Sequence, residues 1–212
     1  MTKKPEHTSC EPITCAYSGS FICLKIRLIS SLYLQVLLHQ PFADVYGAWR
    51  ALEDLYAEGV IKAIGVSNFD PGRLIDLIEF NEVVPAVNQI ETHLLCQRRA
   101  EHEWLEKYHV QHMAYAPLGQ GRKNEMFENP DLVEIAKTHG KTTAQIALRY
   151  LMQSGVIVIP KSVHTERIKE NFELFDFALT AGEMERLANM DTAAPMIGNP
   201  ENPAMVEAAM KW

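Results

Sequence analysis

The residues of this chain best suited to chemistry sit at recurring stations: His39-Gln40, Ser67-Asn68, Asn88-Gln89-Ile90-Glu91, Tyr115 and Lys161-Ser162. Each closes or follows a short apolar run rich in β-branched residues, at 33–38, 60–66, 84–90, 110–116 and 156–159. Ser, Asn and Gln side chains offer paired donors and acceptors for fixing a polar ligand. Lys161, Ser162 and Arg167 surround a helix start, where main-chain N–H groups and two cations favour an anion. His39-Gln40 adds an imidazole beside an amide at the end of the first run.

The apolar runs read as strands, and their near-continuous hydrophobicity suits parallel strands covered on both faces. Amphipathic stretches with helical spacing lie between them. Trp49, Leu52 and Tyr56 form one stripe, flanked by Ala48 and Leu55, with Gly59 at the C-terminal cap. Asp70-Pro71 and Asn129-Pro130 are helix starts, an N-cap followed by proline at the first helical position. Leu74, Leu77 and Ile78 form the buried face of the first of these, and Gly140 stops the second. Thr142-x-x-Gln145 and Thr180-x-x-Glu183 are capping boxes. Strand followed by helix, several times over, predicts an α/β protein with a parallel sheet.

An open dinucleotide-binding sheet would carry G-x-G-x-x-G after its first strand, and the sequence has neither that motif nor a P-loop. Polar residues gathered at five strand C-termini instead match the mouth of a (β/α)8 barrel, where such a fold builds its active site.

Composition narrows the partners. The 212 residues are 47% hydrophobic and 22% charged, as in an ordinary globular protein. Twenty Lys and Arg against 27 Asp and Glu give a formal net charge of -7, which speaks against nucleic acid as the main partner. The apolar region 21–38 is broken by Lys25, Arg27, Gln35 and two serines, so it reads as neither a signal sequence nor a membrane span. Cys10, Cys15, Cys23 and Cys96 are too few and too lopsided for a disulfide scaffold and fit no zinc spacing. His109-x-x-His112 is a poor metal-ligand geometry, so no metal is expected, and the cytoplasm is the expected compartment.

The segments Leu37-Leu38-His39-Gln40-Pro41, Ile64-Gly65-Val66-Ser67-Asn68-Phe69 and Val87-Asn88-Gln89-Ile90-Glu91 resemble those of the aldo-keto reductases. So do Ala114-Tyr115-Ala116-Pro117-Leu118-Gly119 and Ile159-Pro160-Lys161-Ser162, followed by Arg167 and Glu170-Asn171. The likeness covers about residues 32–195, in the family's order, and its wording is nearest the bacterial branch that reduces diketogluconates and small reactive aldehydes. The resemblance implies a (β/α)8 barrel and an NADPH-dependent reduction of small aldehydes or keto sugars. It assigns the nicotinamide carboxamide to Ser67, Asn68 and Gln89, ring stacking to Tyr115, and a cofactor contact to Leu118. It gives the 2′-phosphate to Lys161, Ser162 and Arg167, the adenine to Glu170 and Asn171, and orientation of the substrate carbonyl to His39. Met205, Met210 and Trp212 belong to a tail that would fold over the substrate.

By the same resemblance only the last five of eight strand–helix units are visible, in residues 32–212. The family's catalytic Asp, Tyr and Lys would precede the His-Gln-Pro strand. Residues 1–31 match nothing in the family, and the echo of a catalytic-tyrosine segment at 15–19 lacks partners. Gln35 stands where the family usually has aspartate. The expectation is an atypical leader on an N-terminally truncated barrel. The function is then either carbonyl reduction or, in an inactive remnant, nucleotide binding alone. Sheet edges left open at both ends predict self-association or loose folding.

Overall fold

The computed structural model describes residues 34–120, 123–198 and 202–209. The expected leader at 1–31, with Cys10, Cys15 and Cys23, lies outside those residues, as do Tyr33, Met210 and Trp212. Five strands form one sheet: β1 (Val36–Leu38), β2 (Ile64–Ser67), β3 (Val87–Glu91), β4 (Gln111–Tyr115) and β5 (Ile157–Val158). Their order is β1-β2-β3-β4-β5 and every pairing is parallel. A doubly wound sheet reverses its order at a switch point, whereas a (β/α)8 barrel keeps sequence order. The described residues form an incomplete barrel-type α/β fold.

The helices start and stop where local chemistry dictates. Helix α1 (Val45–Ala57) begins at Asp44, whose side chain accepts from the Gly47 N–H, and buries Val45, Trp49 and Leu52. Tyr56, expected in that stripe, is 42% exposed, since it lies at the outer edge of the buried arc. Gly59 follows with φ +74°, a conformation glycine adopts freely. Helix α2 (Pro71–Glu79) is capped by Asp70 through the Arg73 N–H and buries Leu74 and Leu77, with Ile78 packed beside them. After α3 (Arg99–Lys107) and α4 (Lys123–Phe127), Asn129 caps α5 (Pro130–His139) and Gly140 ends it at φ +62°. Both capping boxes form, opening α6 (Thr143–Gln153) and α8 (Ala181–Ala188). Helices α7 (Thr165–Phe172) and α9 (Pro203–Ala209) complete the described set.

The strands are shorter than the apolar runs that announce them. Proline explains two boundaries, because Pro85 and Pro160 have no N–H for the ladder. Lys161-Ser162 therefore stands beyond β5 rather than at its last residue.

Alternation along each strand sorts the side chains. Leu38, Ile64, Val66 and Ile90 join α1, α2 and α3 in one buried cluster. Ala114 and Val158 join α4, α5, α6 and α8 in another. The opposite face, the one a barrel turns to its concave interior, carries Leu37, Gly65, Ser67, Val87, Gln89, Glu91, Met113, Tyr115 and Ile157. Among the described residues no helix is long and apolar enough to cross a membrane.

Candidate active site

Near its C-terminal end the concave face carries two polar side chains beside two apolar ones. Ser67, Gln89, Met113 and Ile157 are in register on successive strands. Ser67 Oγ donates to the Gln89 carbonyl at 2.8 Å, and Gln89 Nε2 contacts Met113 Sδ at 3.1 Å. A thioether is a weak acceptor, so this contact orients the amide while leaving most of its hydrogen-bonding capacity unspent.

Asn68 follows β2 in a left-handed conformation at φ +63°, which asparagine tolerates better than most residues. Its N–H donates to the Gln89 carbonyl at 2.9 Å. Its Nδ2 donates to the His39 carbonyl at 3.0 Å and to Ser67 Oγ at 3.2 Å. The ends of β1, β2 and β3 are thereby tied by one asparagine. The His39 side chain is exposed just past β1.

Tyr115 is the last residue of β4, half-buried and in register with Glu91. Burial pushes its phenol up to about 12, and the Glu91 charge acts in the same direction. Leu118 turns instead toward the apolar cluster under α4 to α6.

Beyond β5 a cleft of about 750 Å³ brings Lys161, Ser162 and Asn171 together with Ile157, Pro160 and Phe172. Ser162 Oγ accepts from the His164 N–H at 3.1 Å, shaping the turn into α7. Arg167 is exposed on α7, off the cleft lining, and Glu170 is half-buried with its carbonyl accepting from Gln145 Nε2 at 3.2 Å. Among the described residues neither Lys161 nor Arg167 has an ion-pair partner. The structure thus unites Ser67, Asn68, Gln89 and the His39 main chain in one patch, with the His39 side chain exposed beside it, and Lys161, Ser162 and Asn171 in another.

Sequence reasoning passed over Glu91 and His93 as a pair. Glu91 is 1% exposed, with His93 Nε2 3.2 Å from its Oε1, while the buried His93 Nδ1 has no partner. The i, i+2 spacing at a strand end was the available signal. Among the described residues no group of three His, Cys, Asp or Glu could hold a metal ion.

Residues 33–192 match the Aldo/keto reductase family, and the chain belongs to it. The 9,11-endoperoxide prostaglandin H2 reductase of Trypanosoma cruzi (strain CL Brener) is 40% identical over 170 residues, 78% of this chain and 59% of that protein. Methylglyoxal reductase DkgA of Escherichia coli (strain K12) is 40% identical over 162 residues, covering 76% and 58%. The crystal structure of a Gox0644 point mutant in complex with NADPH superposes with a TM-score of 0.75 at 37% identity, covering 81% of this chain and 64% of that one. The chain therefore spans less than two thirds of the relatives it matches.

Proposed function

We propose that this chain is the nucleotide-holding part of an NADPH-dependent carbonyl reductase acting on small aldehydes or keto sugars. One observation carries the reading: polar side chains from β2, β3, β4 and the turn after β5 emerge at the C-terminal ends of a single parallel sheet, where a barrel builds its site. The family membership, the NADPH in the Gox0644 complex and the likeness to a methylglyoxal reductase support it. The equally similar relative named for a prostaglandin endoperoxide limits the substrate to a class rather than a compound.

The residues suit the cofactor. Gln89, anchored by only a thioether, and Asn68, holding the strand ends together, present amide groups matched to a carboxamide. Tyr115 would stack on the ring, and Leu118, only partly buried against the apolar cluster, would keep a cofactor contact on its open side. Lys161 and Arg167 lack carboxylate partners among the described residues, so a 2′-phosphate would find two uncompensated cations, with Ser162 as a hydroxyl donor. Glu170 and Asn171 would hold the adenine. Bound NADPH supplies a hydride to the carbonyl carbon, and His39 would orient the carbonyl by donating to its oxygen. Residues 32–212 would form the reductase part of the chain, with 1–31 outside it.

A second reading, nucleotide binding without turnover, is favoured by one specific observation. The resemblance places the catalytic Asp, Tyr and Lys before the His-Gln-Pro strand, and Tyr115 at the end of β4, assigned to ring stacking and with its phenol raised by burial, is a poor stand-in for the acid. Calorimetric titration with NADPH and NADH, followed by NADPH oxidation with methylglyoxal, tests both. Binding with turnover supports the first reading, and binding alone supports the second. Equal affinity for the two cofactors overturns the assignment of the phosphate site.

A further inference from the structure

Glu91 closes β3 on the concave face, two residues past Gln89 and in register with Tyr115. Its carboxylate faces the main chain of a segment more than a hundred residues away. Oε1 accepts from the Met196 N–H at 2.5 Å and the Ile197 N–H at 3.2 Å, and Oε2 from the Ile197 N–H at 3.2 Å. The same segment is pinned upstream. Asp191 Oδ1 accepts from the N–H groups of Gln97 and Ala193 at 3.1 and 2.9 Å, and Thr192 donates twice to the Leu95 carbonyl. Between these two anchorages Ala193 sits at φ +53°, a left-handed conformation that alanine disfavours. A chain bent that way needs something to hold its far end.

The geometry points to Glu91 as a latch, a positioning residue that holds segment 191–198 over the C-terminal end of β3. Two main-chain donors on one buried carboxylate are charge-assisted bonds, which are stronger than neutral ones. The groups around it are His93 from the loop after β3, Cys96, Arg98 and Tyr115. Arg98 donates from Nε to the Glu91 carbonyl and pairs through its guanidinium with Glu101. Burial opposes the charge, but the bonds from His93, Met196 and Ile197 outweigh it and leave the carboxyl below its ordinary range. The latch is closed at neutral pH and opens in acid. It stands without the nucleotide reading. Its consequence, that the segment covers the Gln89 and Tyr115 subsite, rests on that reading.

Site-resolved amide hydrogen exchange on the full chain tests it. In Glu91→Gln the Met196 and Ile197 amides exchange at least about 10-fold faster, as loss of one charge-assisted bond requires, while Asn88 and Ala114 keep their protection. Equal protection at 196 and 197 in the variant overturns the proposal. If the variant does not fold, the unmodified chain answers alone. Exchange at 196 and 197, corrected for its intrinsic pH dependence, rises selectively on acidification below the ordinary glutamate range, and a flat profile overturns the latch. A parallel NADPH titration separates the two ideas: no binding, with the latch behaviour intact, defeats the nucleotide reading only.

Discussion

The Tyr150 hydroxyl donates a 2.6 Å hydrogen bond to Gln97 Oε1, joining α6 to the loop after β3. The same amide donates from Nε2 to the carbonyls of Leu94 and Leu187, both at 2.9 Å. Its Oε1 also accepts from Arg99. One buried side chain therefore holds the loop, α6 and the end of α8 in fixed relation, just before the segment that Glu91 engages.

Gln97→Leu strands the Leu94 carbonyl and the Tyr150 hydroxyl in the interior, whereas the Leu187 carbonyl keeps the Met190 N–H. A buried unsatisfied group costs about 1–3 kcal/mol, so the substitution should destabilise by roughly 2–4 kcal/mol in urea unfolding. Tyr150→Phe, which removes one donor only, should cost about 1 kcal/mol.

Arg167→Ala should weaken NADPH binding about 10- to 100-fold and leave NADH unchanged, as loss of a charged phosphate contact implies. Lys161→Ala should act in the same sense. Calorimetric titration of each variant with both cofactors checks this, and a parallel loss for NADH would mean that these cations do not read the extra phosphate.

Asn68→Ala should destabilise by about 1–2 kcal/mol, because it removes the bonds to the His39 carbonyl and Ser67 Oγ and keeps a left-handed backbone. Asn68→Gly loses the same bonds but relieves the backbone, so its thermal midpoint should lie above that of the alanine variant.

Acid should unfold the chain partly through His112. Its Nε2 lies 2.8 Å from Thr92 Oγ1 and its Nδ1 3.0 Å from His102 Nδ1. Burial first, then the charges of His102 and Arg98, lower its pKa from 6.5 to about 3. The unfolded chain takes up that proton more readily than the folded one. Stability is therefore full above pH 6.5 and falls by up to about 1.4 kcal/mol per pH unit as pH drops toward 3. His112→Gln should flatten that slope in denaturation curves recorded from pH 7 to about 4.

Ile157 and Ile159 are 40% and 44% exposed along the β5 side, and β5 has only β4 as a strand partner among the described residues. An apolar open edge invites edge-to-edge pairing. Light scattering should show concentration-dependent association, reduced by Ile157→Lys. A monomer at every concentration would mean that another part of the chain covers this edge.

Much of the fold was legible because its signals are local. Asp70, Asn129, Thr142 and Thr180 each bond a main-chain group within three residues, so spacing alone exposes the cap. Ser67, Asn68 and Gln89 were legible as a set because each stands at or beside the end of an apolar run. Strand lengths were overread where a proline interrupts the ladder, as at Pro85 and Pro160. The Glu91 contacts with Met196 and Ile197 were not legible at all, since those partners lie 105 and 106 positions along the chain. Arg167 stands near the start of α7, as its spacing predicts, yet no spacing argument shows that it is exposed beside, rather than within, the lining of the cleft that holds Lys161 and Ser162.

Gly65 has a hydrogen where its neighbours have side chains. A methyl group there would come within 2.7 Å of Leu37 Cδ2 and 2.8 Å of Val87 Cγ2 and the Val87 carbonyl oxygen. The side chains of Leu37 and Val87, in register on either side, take up the space that a methyl group at Gly65 would need, so the missing carbon lets β1 and β3 both pack closely over β2. Filling it would force Leu37 and Val87, main chain included, to give way two residues below His39 and Gln89, so the fit beneath the mouth is gauged by an atom the sequence leaves out.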